Sequence, residues 1–266
     1  MTLANAQRSD LYYEEKGEGV PILLIHAGGA TASTWGRAVD SIAEVGRVVT
    51  YDRRGYGRSG GDPVGSIAAH TADAVALLDA LGTPPAVAVG ISVSATIAID
   101  LALRRPDRVR AVVAHESPWR VSRQPPTIAQ LAAFSRMGWL LARGRHPEAV
   151  AAFLRFAYRY RDGGSAWDAF PEEWRRAAEE NAQAALADFR IAVGGYPSAK
   201  ELARMRRPVL CTYGARSNKP LVRVAQSLAR AIPTAQLTEI EGTAHAAAFD
   251  APANFVRVIV DAAHLS

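Results

Sequence analysis

Apolar residues along this chain fall into two patterns, short unbroken runs and longer stretches at helical spacing. Pro21-Ile22-Leu23-Leu24-Ile25-His26, Arg47-Val48-Val49-Thr50-Tyr51-Asp52, Ala86-Val87-Ala88-Val89 and Arg108 to Glu116 are runs of the first kind. Near-continuous apolar strands of this length belong inside a parallel sheet covered on both faces. Leu11 to Glu15, followed by Gly17-Glu18-Gly19, reads as an edge strand and a turn. Ser66 to Leu81 places Ala69, Val75, Leu78 and Leu81 at helical spacing, with Gly82 as the stop. Ala95 to Arg105 repeats that spacing through Ile97, Ala98 and Leu101. Strands alternating with helices predict a mostly parallel, doubly wound sheet with right-handed crossovers.

The rhythm changes after Ser117-Pro118. Helical runs at Ile128 to Leu141, Pro147 to Tyr160 and Pro171 to Val193 follow, broken by Gly163-Gly164 and Gly194-Gly195-Tyr196-Pro197. This predicts an all-α lid over 119–200 inserted into a core made of 1–118 and 201–266. The α/β pattern then resumes with strands at Pro208 to Tyr213 and Ala235 to Ile240, each followed by a helix.

Composition narrows the partners. The 266 residues suit one α/β domain with an insertion. The formal charge of +5 comes mainly from scattered arginines, with lysine only at Lys16, Lys200 and Lys219. No basic stripe with interleaved aromatics is present, so nucleic-acid binding is not expected. Cys211 is the single cysteine, which excludes an internal disulfide and a cysteine metal cluster. The first ten residues lack the apolar core of a signal peptide, and no apolar stretch approaches the ~20 residues that span a bilayer. The expectation is a soluble cytoplasmic protein acting on a small molecule, with no membrane partner and a homodimer left open. Gly55-x-Gly57 lacks the third glycine of a dinucleotide loop, and the histidines lack metal-ligand spacing, so neither cofactor nor metal is expected.

The candidate chemistry starts at Ser92, in Gly90-Ile91-Ser92-Val93-Ser94 between an apolar strand and a helix. A serine on such a tight turn is a nucleophile elbow, which needs small residues on both sides. Ser94 stands where glycine is common. A serine hydroxyl needs a base within hydrogen-bond reach. His245, in the small-residue loop Gly242-Thr243-Ala244-His245 after the last strand, is the best placed of six histidines. His26 and His115 end strands and read as structural; His70, His146 and His264 read as solvated. The acid is less direct. The loop after Pro208 to Tyr213 is Gly214-Ala215-Arg216-Ser217-Asn218-Lys219-Pro220, without a carboxylate. Glu116, at the end of the preceding strand, is the candidate orienting acid, with neutral Ser217 or Asn218 as alternatives. The backbone N–H groups of Gly28 and Val93 are the candidate oxyanion donors.

On His26-Ala27-Gly28-Gly29, the Tyr51 to Ser59 loop, the Ser92 elbow and Gly242-Thr243-Ala244-His245, the chain resembles the α/β-hydrolase superfamily over essentially its full length. That resemblance implies an eight-stranded, mostly parallel sheet flanked by helices. Serine at 92 argues against haloalkane dehalogenase and epoxide hydrolase chemistry, which use aspartate there. His115-Glu116, Gly163-Gly164-Ser165-Ala166-Trp167 and Gly195-Tyr196-Pro197 are similar to the zearalenone lactonases. This second resemblance implies cleavage of an aryl macrolactone by Ser92, His245 and Glu116, with Trp167, Trp174, Ala192 and Tyr196 as candidate substrate contacts. Those lactonases carry a tryptophan before Gly-Tyr-Pro, where this chain has Ile191-Ala192-Val193. The elbow is also similar to the butenolide receptors, which implies a ligand sensor with slow hydrolysis. A polyketide-tailoring enzyme using the same site is the other alternative.

Overall fold

The chain, described by a computed structural model over residues 2–6, 9–36, 38–119, 124–191 and 195–265, begins with β1 (Thr2–Ala6), β2 (Ser9–Lys16) and β3 (Pro21–Ile25). A short turn of 3₁₀ helix at Ala32–Trp35 precedes α1 (Ala38–Ala43), β4 (Arg47–Tyr51), α2 (Ile67–Ala80), β5 (Ala86–Ile91), α3 (Val93–Arg104) and β6 (Val109–His115). Among the described residues six helices follow: α4 (Ile128–Leu141), α5 (His146–Ala157), α6 (Ala166–Ala169), α7 (Glu172–Glu180), α8 (Ala182–Ile191) and α9 (Ala199–Leu202). The chain then returns through β7 (Val209–Gly214), α10 (Lys219–Ala231), β8 (Ala235–Ile240), α11 (Ala247–Asp250) and α12 (Pro252–Ala263).

The strands form one sheet in the order β1-β2-β4-β3-β5-β6-β7-β8. From β4 to β8 neighbours are parallel, and β1 and β2 run antiparallel at one edge. Every residue of β3 and β5 is buried, as their unbroken apolar sequence requires. One core layer packs Leu77 of α2, Ile97 of α3 and Leu228 of α10 against the sheet. The opposite layer uses Ile42 of α1 with Phe255 and Ile259 of α12. A third apolar cluster, around Leu154, Trp167 and Ala178, joins helices between β6 and β7 to Ala246 and Phe249 beyond β8.

Two differences from the pattern-based expectation bear on how the sheet and the helices are joined. β1 is one of them: Thr-Leu-Ala-Asn-Ala carries no clear strand period, and its pairing from Thr2↔Tyr13 to Ala6↔Ser9 completes the sheet edge. The run from Pro171 to Val193 is the other, because it breaks at Asn181. There the side chain donates to the Ala177 carbonyl at 2.7 Å and accepts Gly57 N–H at 2.8 Å, tying the break to the core. Among the described residues no helix is long and apolar enough to cross a membrane.

The turn from β5 into α3 sets the site. Ser92 has φ 61° and ψ −129°, a conformation costing on the order of 1–3 kcal/mol for a non-glycine residue. A Cβ on Gly90 would lie 2.3 Å from the Ser94 carbonyl, so only glycine fits before the serine. Ser94 explains itself by its hydroxyl, which lies 2.7 Å from the Ile25 carbonyl and 2.8 Å from that of Ile91, and accepts Ile91 N–H at 2.9 Å. It ties the end of β3 to the elbow. Ser94→Ala leaves those buried groups without their partner and is expected to lower stability by about 1–3 kcal/mol, read by urea denaturation.

Candidate active site

Three strand ends converge on one group of polar side chains. β6 ends in His115, and Glu116 follows with φ 47°, a left-handed turn that swings its carboxylate toward the adjoining loops. Glu116 Oε2 lies 2.7 Å from His245 Nδ1. Its other oxygen accepts Gly214 N–H at 3.1 Å and the Ser217 hydroxyl. Glu116 is fully buried. Burial alone raises its pKa, but bonding to His245, the adjacent His115 and the Ser217 hydroxyl outweigh it and hold the carboxyl down to about 2. The carboxylate is therefore ionised at neutral pH and faces the imidazole as a hydrogen-bond acceptor. Ser217 acts on this carboxylate, while Asn218 turns away to donate to the Arg159 carbonyl at 2.7 Å.

The loop carrying His245 is fixed from two sides. His115 Nε2 meets the Ala244 carbonyl at 2.9 Å while Nδ1 lies 3.0 Å from the Thr212 hydroxyl, a pattern that fits one neutral tautomer. Burial pushes the pKa of His115 down, in keeping with that neutral form. Asp250 accepts Ala244 N–H at 2.8 Å and the Tyr160 hydroxyl at 2.7 Å. Gly214 permits the close approach of β7, since a Cβ there would sit 2.2 Å from the Thr243 carbonyl.

Ser92, His245, Gly28, Val93 and Tyr196 all line one cavity of about 610 Å³. Its walls are mostly apolar, with Phe134, Phe153, Phe156 and Phe189 from the α4–α8 region, and its polar wall includes Arg159, Asn218 and Asp188. The volume lies within the ~300–1,000 Å³ of pockets that enclose drug-sized ligands. Trp167 and Trp174 are not brought to this cavity. They line an adjoining pocket of about 50 Å³ that shares Ala27, Tyr158 and His245 with the cavity, and there Trp174 packs edge-on to Phe170 and Phe249. Helical spacing does not distinguish a residue packed among the α4–α8 helices from one facing a ligand. Ala192 lies outside the described residues.

Sequence reasoning missed a buried charged cluster behind Gly28. Arg53, fully buried, pairs with Asp188 of α8 at 2.7 Å, and Tyr56 donates to the same carboxylate at 2.7 Å. His70, read as solvated, is instead buried with Nε2 3.2 Å from Arg53 Nη1. Burial and the Arg53 charge lower its pKa. Burial opposes ionisation of Asp188, yet Arg53 and His70 hold its carboxyl below the usual range.

Against known proteins, residues 22–258 match the alpha/beta hydrolase family. An epoxide hydrolase of Caballeronia sordidicola is 40% identical over 113 residues, 41% of this chain and 34% of that protein. A zearalenone hydrolase of Bionectria ochroleuca is 34% identical over 116 residues, 41% of this chain and 44% of that protein. The chain thus matches less than half the length of either relative. The enol-lactonase structure from Burkholderia xenovorans LB400 superposes with a TM-score of 0.79 at 20% identity, covering 98% of both chains. With a family match across most of its length and the same fold from end to end, the chain belongs to the alpha/beta hydrolase family.

Proposed function

We propose that the chain is a cofactor-free serine hydrolase of carboxylic esters or lactones, with a bulky aryl macrolactone of zearalenone type as its substrate class. In this reading 1–118 and 201–266 form the catalytic core and 119–200 the lid. The observation that carries it is the 2.7 Å contact between buried, ionised Glu116 and His245, beside the apolar cavity that Ser92 lines.

Ser92 Oγ attacks the ester carbonyl carbon while His245 Nε2 takes its proton. Glu116 holds the imidazole in the tautomer with a free Nε2 and stabilises the imidazolium that forms. The carbonyl electron pair moves onto oxygen, held by the Gly28 and Val93 N–H groups. Collapse breaks the C–O bond, and His245 returns the proton to the departing alkoxide, which in a lactone stays attached to the acyl chain. Water, deprotonated by His245, then attacks the acyl carbon; the acyl C–Oγ bond breaks, and His245 returns the proton to Ser92 Oγ. The net change is lactone plus water to hydroxy acid. The large aromatic-walled cavity supports a bulky apolar acyl group.

Incubation with zearalenone, read by mass spectrometry, is expected to give a product heavier by one water, or its decarboxylated successor. A rearranged product of unchanged mass would favour the tailoring reading, and binding without turnover the sensor. Hydrolysis of small 4-nitrophenyl esters without attack on zearalenone would keep the hydrolase and remove the macrolactone.

A further inference from the structure

A lid carboxylate reaches the core where the backbone of Gly28 is held. Asp188 accepts from Arg53 Nη2 at 2.7 Å, from Arg53 Nη1 at 3.2 Å and from the Tyr56 hydroxyl at 2.7 Å. Those two core side chains in turn grip the peptides on either side of Gly28. Arg53 Nη2 also donates to the Ala27 carbonyl at 3.4 Å, alongside His26 Nδ1 at 2.9 Å and Ala30 N–H at 3.3 Å. Tyr56 Oη accepts Gly29 N–H at 3.3 Å. The Ala27 carbonyl and the Gly28 N–H belong to one planar peptide, and in the trans form they point in opposite directions. Fixing the carbonyl therefore fixes the direction of that N–H.

The contact leaves little slack. A Cβ on Gly28 would lie 3.0 Å from Asp188 Oδ2 and 3.6 Å from Val93 Cγ1, so lid carboxylate, loop and elbow meet at this one residue. A bare carboxylate beside a developing oxyanion would oppose it, and the paired Arg53 guanidinium offsets that charge.

We propose that Asp188 is a positioning residue for the oxyanion hole. Through Arg53 and Tyr56, the seating of α8 sets the direction of the Gly28 N–H, so the hole is complete only when the lid is docked. This rests on the serine hydrolase reading above. Misplacing a donor by about 1 Å is enough to cost on the order of a hundredfold in rate.

The test uses the full chain with a 4-nitrophenyl ester. Asp188→Asn is expected to lower kcat by about 10–100-fold while KM stays within about twofold, because the donor acts mainly in the transition state. Binding of an alkyl boronic acid, which forms a tetrahedral adduct on Ser92, should weaken by a similar factor. Tyr56→Phe keeps the ring but loses the hydroxyl on Gly29 N–H, and is expected to lower kcat by about 3–10-fold. The double variant should lose less than the product of the two, since both act through the same loop. If Asp188→Asn does not fold, the kcat and boronate affinity of Tyr56→Phe decide the question. Unchanged kcat, a loss carried by KM alone, or fully multiplicative losses overturn the proposal while the hydrolase stands. A wild-type chain that neither cleaves the ester nor labels at Ser92 with a fluorophosphonate overturns the hydrolase reading itself.

Discussion

Ser92→Ala is expected to abolish turnover, with a loss on the order of 10⁶-fold by analogy with nucleophile replacement in other serine hydrolases. The fold should survive the change. The Ser92 hydroxyl makes no capping hydrogen bond to α3, so removing it orphans no helix N–H. Alanine keeps the Cβ, so the strain at φ 61° is unchanged. Ser92→Gly removes that strain and is expected to raise stability by about 1 kcal/mol or more while remaining inactive. Paired thermal melts and ester turnover check both statements. An inactive glycine variant that melts above wild type would mark the elbow as strain maintained for function; turnover in either variant would remove Ser92 as nucleophile.

What the sequence made legible follows from how local each signal is. Ser92 was readable because a strand, a glycine and a helix surround it within a few residues. His245 was readable because a small-residue loop after the last strand leaves little else for a histidine to do. Glu116 needed one more step, the absence of a carboxylate in the loop from Gly214 to Pro220. The structure adds that Ser217 from that loop bonds to Glu116, which no spacing rule links across 101 residues. Asp188 and Arg53 lie 135 residues apart, and each looks like an ordinary surface charge in its own segment. Their pairing exists only once α8 is folded over the Gly28 loop. Trp167 and Trp174 show the opposite limit: their aromatic character was plain, but which side of the α4–α8 region they face depends on packing.

Glu116→Gln is expected to lower kcat by about 10³–10⁴-fold, and the reason is tautomer control. The wild-type carboxylate accepts on both oxygens, from His245 on one and from Gly214 N–H and the Ser217 hydroxyl on the other. A glutamine can accept on only one end. Gly214 N–H is a fixed backbone donor, so it draws the amide oxygen and leaves the NH₂ facing His245 Nδ1. That arrangement stabilises the imidazole with its proton on Nε2, where it cannot take the proton of Ser92. The pH dependence separates this from a loss of fold. Glu116 in the folded protein titrates at about 2, below the ~4.3 of an exposed glutamate. A depressed carboxyl contributes stability above the unfolded value and loses it as pH falls through the folded one. Wild type should therefore lose stability between about pH 4 and pH 2, and Glu116→Gln should lose less over that window. Acid-unfolding curves and turnover at neutral pH measure the two effects independently. Activity within tenfold of wild type would take the orienting role from Glu116.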